Sequence, residues 1–377
     1  MINSLKSSLS RNITNARGWK TNRKIVVFES DDWGSMRMPS NEAINNLEKQ
    51  GILLKHLKYA TLDTLENKSD ILDLREVLMS NPSSSLQLPI FTTNMVLGNP
   101  DYSKIKANGF DEFHWMNLWS SYNYFHGENL KKEWQDATRD RVFFPQYHAT
   151  THLNHKLWMR DLKFNRDKTV KAFKERFYGL IDGTSSVHQK NYLMEFYAEN
   201  SDELIALKKH TKEGLKHFEK LFGYRSTTFV ACNYVMPQEL ESTLYESGVR
   251  MIQTQRGHLQ PLPLNKNKKY KIVRHFTGQK SKTGIVYSVR NIMFEPFEQP
   301  HIDWVSKTLN EIGNAFKYRK PAVISTHRIN YVGGLNLEHK ERNLKSLDEL
   351  LKQINHKWPD VEYLNSEELS KMIINGE

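Results

Sequence analysis

Lys24 to Arg37 reads KIVVFESDDWGSMR. Its first half, Ile25-Val26-Val27-Phe28, is an unbroken apolar run of the kind a strand buried on both faces shows. The run gives way at once to Glu29-Ser30-Asp31-Asp32-Trp33-Gly34-Ser35. Two adjacent carboxylates at the exit of a buried strand are costly unless something positive sits beside them. A metal ion is the usual answer, and possible ligands occur further along. His148-Ala149-Thr150-Thr151-His152 holds two histidines at i and i+4, which one helical turn would bring to the same face. One carboxylate and two imidazoles form a three-ligand set that leaves a coordination position open for water. The residues point to a metal-assisted hydrolase.

The 377 residues carry a formal charge of +11, 38% hydrophobic and 11% aromatic residues, and one cysteine. That is ample for a sizeable core and fits a single α/β barrel domain over 1–377. The charge suggests affinity for anionic partners, but it is spread along the chain, and no nucleic-acid-binding motif accompanies it. The densest run, Asn265 to Lys271, reads as a solvated loop. A lone cysteine excludes internal disulfides and suits a reducing compartment. Cys232, beside Val230 and Ala231, reads as a small buried residue. Residues 1–23 form a basic N-terminal extension without an apolar signal segment, expected to be frayed or to touch an acidic membrane surface. Nothing approaches the roughly 20 apolar residues of a membrane span, so the expected setting is soluble and cytoplasmic.

Taken in order, helices are expected from Asn41 to Gln50, capped by Pro39-Ser40-Asn41, and from Ser69 to Met79. Leu86 to Val96 reads as a strand with Asn94 near its end. Residues 101–140, with Trp115, Trp119, Tyr122 and Trp134, look like an aromatic-rich insertion. Val142 to Tyr147 is the strand that delivers the histidine pair, followed by a helix over Leu153 to Leu162. Lys190 to Ala198 reads as a strand and Ser201 to Leu221 as a helix stopped by Gly223. Ser226 to Cys232, Val249 to Gln255, Ile285 to Phe294 and Pro321 to Thr326 read as strands. Helices are expected over Gln238 to Ser247, His301 to Tyr318 and Arg342 to Ile354, and a short strand near Val361 to Tyr363. Alternating strands and helices argue for a parallel sheet with helices outside. Polar residues fall where strands end: Asp31, Asp32, Asn94, His148, Asn233 and His327. In α/β folds this carboxyl end of the sheet is where sites form.

With those residues assembled, the pattern resembles the polysaccharide deacetylases, carbohydrate esterases with a NodB-like domain. Their first motif, usually T-F-D-D-G, is similar to Glu29-Ser30-Asp31-Asp32-Trp33-Gly34, and their H-[ST]-x-x-H motif to His148 through His152. Ile324-Ser325-Thr326-His327 is similar to the late motif with Leu and His. Phe229 to Tyr234 keeps the Tyr of the R-x-P-Y motif and lacks its Arg and Pro. The resemblance implies a distorted (β/α) barrel of about seven strands. It implies Asp32, His148 and His152 as metal ligands, Asp31 as catalytic base and His327 as catalytic acid. The metal implied is divalent, foremost Zn2+, with Co2+, Ni2+, Fe2+ or Mn2+ as alternatives. Its substrate would be an N- or O-acetylated sugar or polysaccharide precursor. The backbone N–H of Tyr234, together with Asn233, Asn94, Arg328 and Arg290, forms the candidate set for substrate or oxyanion contacts. Two other functions compete. A glycoside hydrolase on a related barrel would need a second carboxylate, with Glu195, Glu199 and Glu295 as candidates. A glycan-binding homologue without turnover would fit the missing R-x-P-Y residues.

Overall fold

The computed structural model describes residues 14–180, 192–262 and 270–377. Strand β1 (Lys24–Trp33) stands at its centre, with Ile25, Val26, Val27 and Phe28 fully buried. Side chains alternate across a strand. Accordingly Val26 and Phe28 enter the large core beneath the outer helices, while Ile25 and Val27 pack with Met251, Val286, Val323 and Leu369. An unbroken apolar run is therefore what both of its surroundings demand.

β1 pairs in parallel with β2 (Phe91–Val96) on one side and with β8 (Ala322–His327) on the other. The remaining strands are β3 (Phe143–Ala149), β4 (Thr228–Val230), β5 (Met251–Thr254), β6 (Val286–Val289) and β7 (Ile292–Met293). The hydrogen-bonded order is β6-β5-β4-β3-β2-β1-β8-β7, and β9 (Val361–Tyr363) adds to the start of β1. Eight strands thus lie along the path, against the seven or so expected. The extra one arises because the stretch expected as one strand, Ile285 to Phe294, divides at Arg290 and Asn291. Its first half follows β5 and its second half follows β8. Arg290 N–H donates to the Thr254 carbonyl and Asn291 N–H to the Val323 carbonyl. The two ends of the order are therefore neighbours in the chain, and the sheet curls back towards itself there.

Helices cover the outside, and their ends follow cap chemistry. Ser40 Oγ accepts from Ala43 N–H at the start of Asn41–Lys49. Asn67 and Asp70 form a capping box on Lys68–Met79. Asn200 caps Ser201–Phe222, which ends at Gly223 with φ 82°, a left-handed conformation that suits glycine. The helix Leu337–Lys357, longer than the Arg342 to Ile354 expected, buries Leu347, Leu350, Leu351 and Ile354 in the large core. Each such side chain contributes about 1.5–3 kcal/mol on burial.

Several expectations need correction. β2 starts only at Phe91 rather than Leu86, because Pro89 has no N–H to give to a ladder. Of the strand expected over Lys190 to Ala198, 190 and 191 lie outside the described residues, and 192–198 run as turns. Most of the Asn265 to Lys271 run, and residues 1–13 of the basic extension, also lie outside them. Further on, Trp19 N–H is tied to the Thr277 carbonyl and Thr21 N–H to that of Arg319, so the described part of the extension is not frayed. Two antiparallel strand pairs, Gly98–Pro100 with Trp115–Asn117 and Gly257–Pro261 with Tyr270–Arg274, had no counterpart in the sequence reading, nor had the last helix, Ser366–Asn375. Within 101–140, Tyr122 and Trp134 belong to the large core. Among the described residues no helix is long and apolar enough to cross a membrane.

Candidate metal centre

In a regular strand Asp31 and Asp32 would point to opposite faces. Here the pairing of β1 with β2 shifts register between Ser30 and Trp33, and Asp32 takes φ 76°. This bulge-like irregularity lets both carboxylates line one cavity of about 570 Å3, at the carboxyl end of the sheet. His148, His152, His327, Tyr234 and Asn233 line the same cavity.

The two histidines converge by a route other than the helical turn expected. His148 is still within β3, and His152 follows in a loop with φ 55°. That loop is held by Glu195, whose carboxylate accepts the N–H groups of Thr150 at 2.9 Å and Thr151 at 3.0 Å. His210 lies 3.0 Å from the same carboxylate. Burial alone would raise Glu195, but His210 and the two amides bring it down to about 2. The imidazole Nε2 atoms of His148 and His152 end 3.4 and 3.3 Å from Asp32 Oδ1. Three donors around a tetrahedral ion with bonds near 2.0–2.1 Å are separated by roughly 3.3–3.4 Å.

The protonation pattern agrees with that spacing. His148 Nδ1 lies 2.8 Å from the Val230 carbonyl, which only accepts, so Nδ1 carries the proton. Nε2 is left facing the Asp32 carboxylate. Burial and the Arg37 guanidinium push His152 down to about 3, which keeps it a neutral donor. His152 Nδ1 is buried without a partner. Asp32 is also held by Arg37, with Nη2 at 3.1 Å. Burial opposes ionisation of Asp32, yet Arg37 and the histidines hold its carboxyl well below the usual range. Among the described residues, the metal-type donors gathered within 4.8 Å of one another are His148, His152 and Cys232. The two measures differ on the third donor: direct O···N separations favour Asp32, and the mutual span favours the Cys232 sulfur.

Asp31 is fixed differently. Arg290 reaches it with both terminal nitrogens, at 2.6 and 2.7 Å, and Asn94 donates at 2.8 Å. Burial would raise Asp31, but Arg290 and His327 bring it below its ordinary value. Arg290 also donates to Glu29, Gln253, Ser325 and the Tyr234 hydroxyl. His327 Nε2 stands 3.8 Å from Asp31, and its Nδ1 is 2.6 Å from Glu295. Burial lowers His327, but Glu295 and the two aspartates overcome this and raise it to about 9.

Of the five residues expected at substrate or oxyanion, only Asn233 and Tyr234 line the cavity. Tyr234 N–H is engaged by the Ala231 carbonyl at 2.9 Å, so it is not a free oxyanion donor. Asn94 and Arg290 lie beneath Asp31 and position it. Arg328 is fully buried and pairs with Asp63 and Glu66, and Glu66 in turn accepts Gly34 N–H just after Asp32. Glu195 and Glu295, considered as second carboxylates for glycosidic cleavage, each hold a histidine instead. The sequence reading weighed Arg37 as a substrate contact, had no role for Tyr59, Phe177 or Phe297, all on the cavity wall, and read Cys232 as packing alone.

No family model matches the chain and no curated protein matches it. Among solved structures it is similar to one described as a "putative polysaccharide deacetylase from Mycobacterium smegmatis". The two are 10% identical over 96% of this chain and 94% of that chain, with a TM-score of 0.41, too low to carry any assignment.

Proposed function

We propose that the chain is a metal-dependent hydrolase that removes acetyl groups from an N- or O-acetylated sugar. The observation that supports this reading most is the approach of Asp32 Oδ1 to two imidazole Nε2 atoms at 3.3–3.4 Å, beside Asp31 and His327. The residues fit a divalent ion: His148 and His152 are the nitrogen donors and Asp32 the carboxylate. When bound, such an ion lowers the pKa of a water from near 16 to roughly 7 and polarises a carbonyl.

The chain's own groups supply the proton transfers. Asp31, kept ionised by Arg290, takes a proton from the water that attacks the acyl carbon. His327, protonated at neutral pH, gives its proton to the departing amine or alkoxide as the C–N or C–O bond breaks. Acetate and the free sugar amine or hydroxyl result. Glu295 keeps the His327 ring turned so that Nε2 faces the cavity. Tyr59, Phe177 and Phe297 make part of the cavity wall apolar.

The test is metal content and acetate release from acetylated sugar together. Bound metal should fall away in Asp32→Ala and His148→Ala. Asp31→Asn should keep the metal and lose acetate release. Cleavage of glycosidic bonds in place of acetate release would reject the reading.

A further inference from the structure

The geometry points to Cys232 as a sulfur ligand of the same ion, beside the two imidazoles. This inference rests on the metal centre proposed above. Cys232 Sγ and one nitrogen each from His148 and His152 lie within 4.8 Å of one another. Around a tetrahedral ion with Zn–S near 2.3 Å and Zn–N near 2.05 Å, sulfur and nitrogen stand roughly 3.5 Å apart, which lies inside that span. Cys232 is fully buried and is not part of the cavity lining, whereas Asp32 is.

Backbone geometry ties the sulfur to the histidines. The Val230 carbonyl that fixes His148 Nδ1 lies two residues before Cys232, at the end of β4. The chain then makes a tight turn through Asn233 and Tyr234, with φ 54° and 53°.

A sulfur ligand narrows the choice of metal. Soft sulfur favours Zn2+ or Co2+ and disfavours Mg2+ and Mn2+.

Cobalt loading of the full-length chain reads this without any substrate. Cys232 is the chain's only cysteine, so a sulfur-to-cobalt charge-transfer band in the near ultraviolet has one source. The wild-type protein is expected to bind one Co2+ and show that band. Cys232→Ser should lose it and keep the weaker visible bands of cobalt on nitrogen and oxygen. Cobalt bound without a charge-transfer band in the wild type would overturn the cysteine ligand and leave the Asp32–His148–His152 centre standing. No cobalt or zinc bound at all would overturn both. Should the serine variant fail to fold, the wild-type spectrum still decides.

Discussion

Two neighbouring aspartates each face a buried arginine, and the pairs are built differently. Asp31 is gripped by Arg290, whose guanidinium nitrogens all find partners among Glu29, Asp31, Gln253, Ser325 and Tyr234. Asp32 has one contact from Arg37 at 3.1 Å, while Arg37 Nε and Nη1 are buried without hydrogen bonds and Nε stands 3.8 Å from Asp63. A fully satisfied polar network is rigid, whereas an incompletely satisfied one marks where something else is to bind. On this comparison Asp31 is an immobile proton acceptor. Asp32 is a donor still open to a cation.

The contrast can be broken first at Arg290. Arg290→Met leaves Glu29 and Asp31 buried without their partner, and the loss should be about 3–5 kcal/mol, read by urea unfolding. A loss under about 1 kcal/mol would mean that the Asp31 side is no more fixed than the Asp32 side.

His327 belongs to the Asp31 side and comes next. His327→Gln should lower acetate release about a hundredfold or more while metal content stays unchanged. In the wild type the donating proton is held up to about 9, so the rate should fall as pH rises past that value. A rate independent of pH through that range contradicts His327 as the acid.

Glu195 sets the loop that brings His152 to Asp32. Its folded value of about 2 lies below the ordinary 4.5, so its stabilising contribution is complete above the ordinary value and lost as pH falls towards 2. His210 is raised from 6.5, so its share is full below that value and fades as pH rises through the folded value. The pair is therefore strongest between about 4.5 and 6.5. Glu195→Gln should cost about 1–2 kcal/mol at neutral pH and flatten this acid dependence, seen by thermal unfolding across pH.

The smallest effect is expected at Arg37. In metal-loaded protein, Arg37→Met should change stability by about 1 kcal/mol or less, because the ion takes over the charge of Asp32. Metal affinity should rise. A fall in affinity would show that Arg37 supports the site.

Much of this architecture is legible in local sequence. The apolar run of β1, the caps at Ser40 and Asn67 and the stop at Gly223 each reflect chemistry among near neighbours. The placing of Asp31, Asp32, Asn94, His148 and His327 at strand ends followed from the same logic. What escaped is set by long-range contact. The distortion that turns both aspartates inward depends on the register with β2. The loop that replaces a helical turn between the histidines depends on Glu195, some forty residues on. Arg290, read as a substrate contact, is drawn beneath Asp31 by a break in its strand. Cys232, with apolar neighbours, gave no sign of lying beside two imidazoles.

The most direct measurement is anomalous diffraction at the zinc edge from crystals of the full chain grown with Zn2+. A single strong peak is predicted within bonding distance, ~2.0–2.1 Å, of Asp32 Oδ1 and of a nitrogen of both His148 and His152. A zinc-soaked crystal with no peak between those side chains, or with zinc bound elsewhere, would contradict the account.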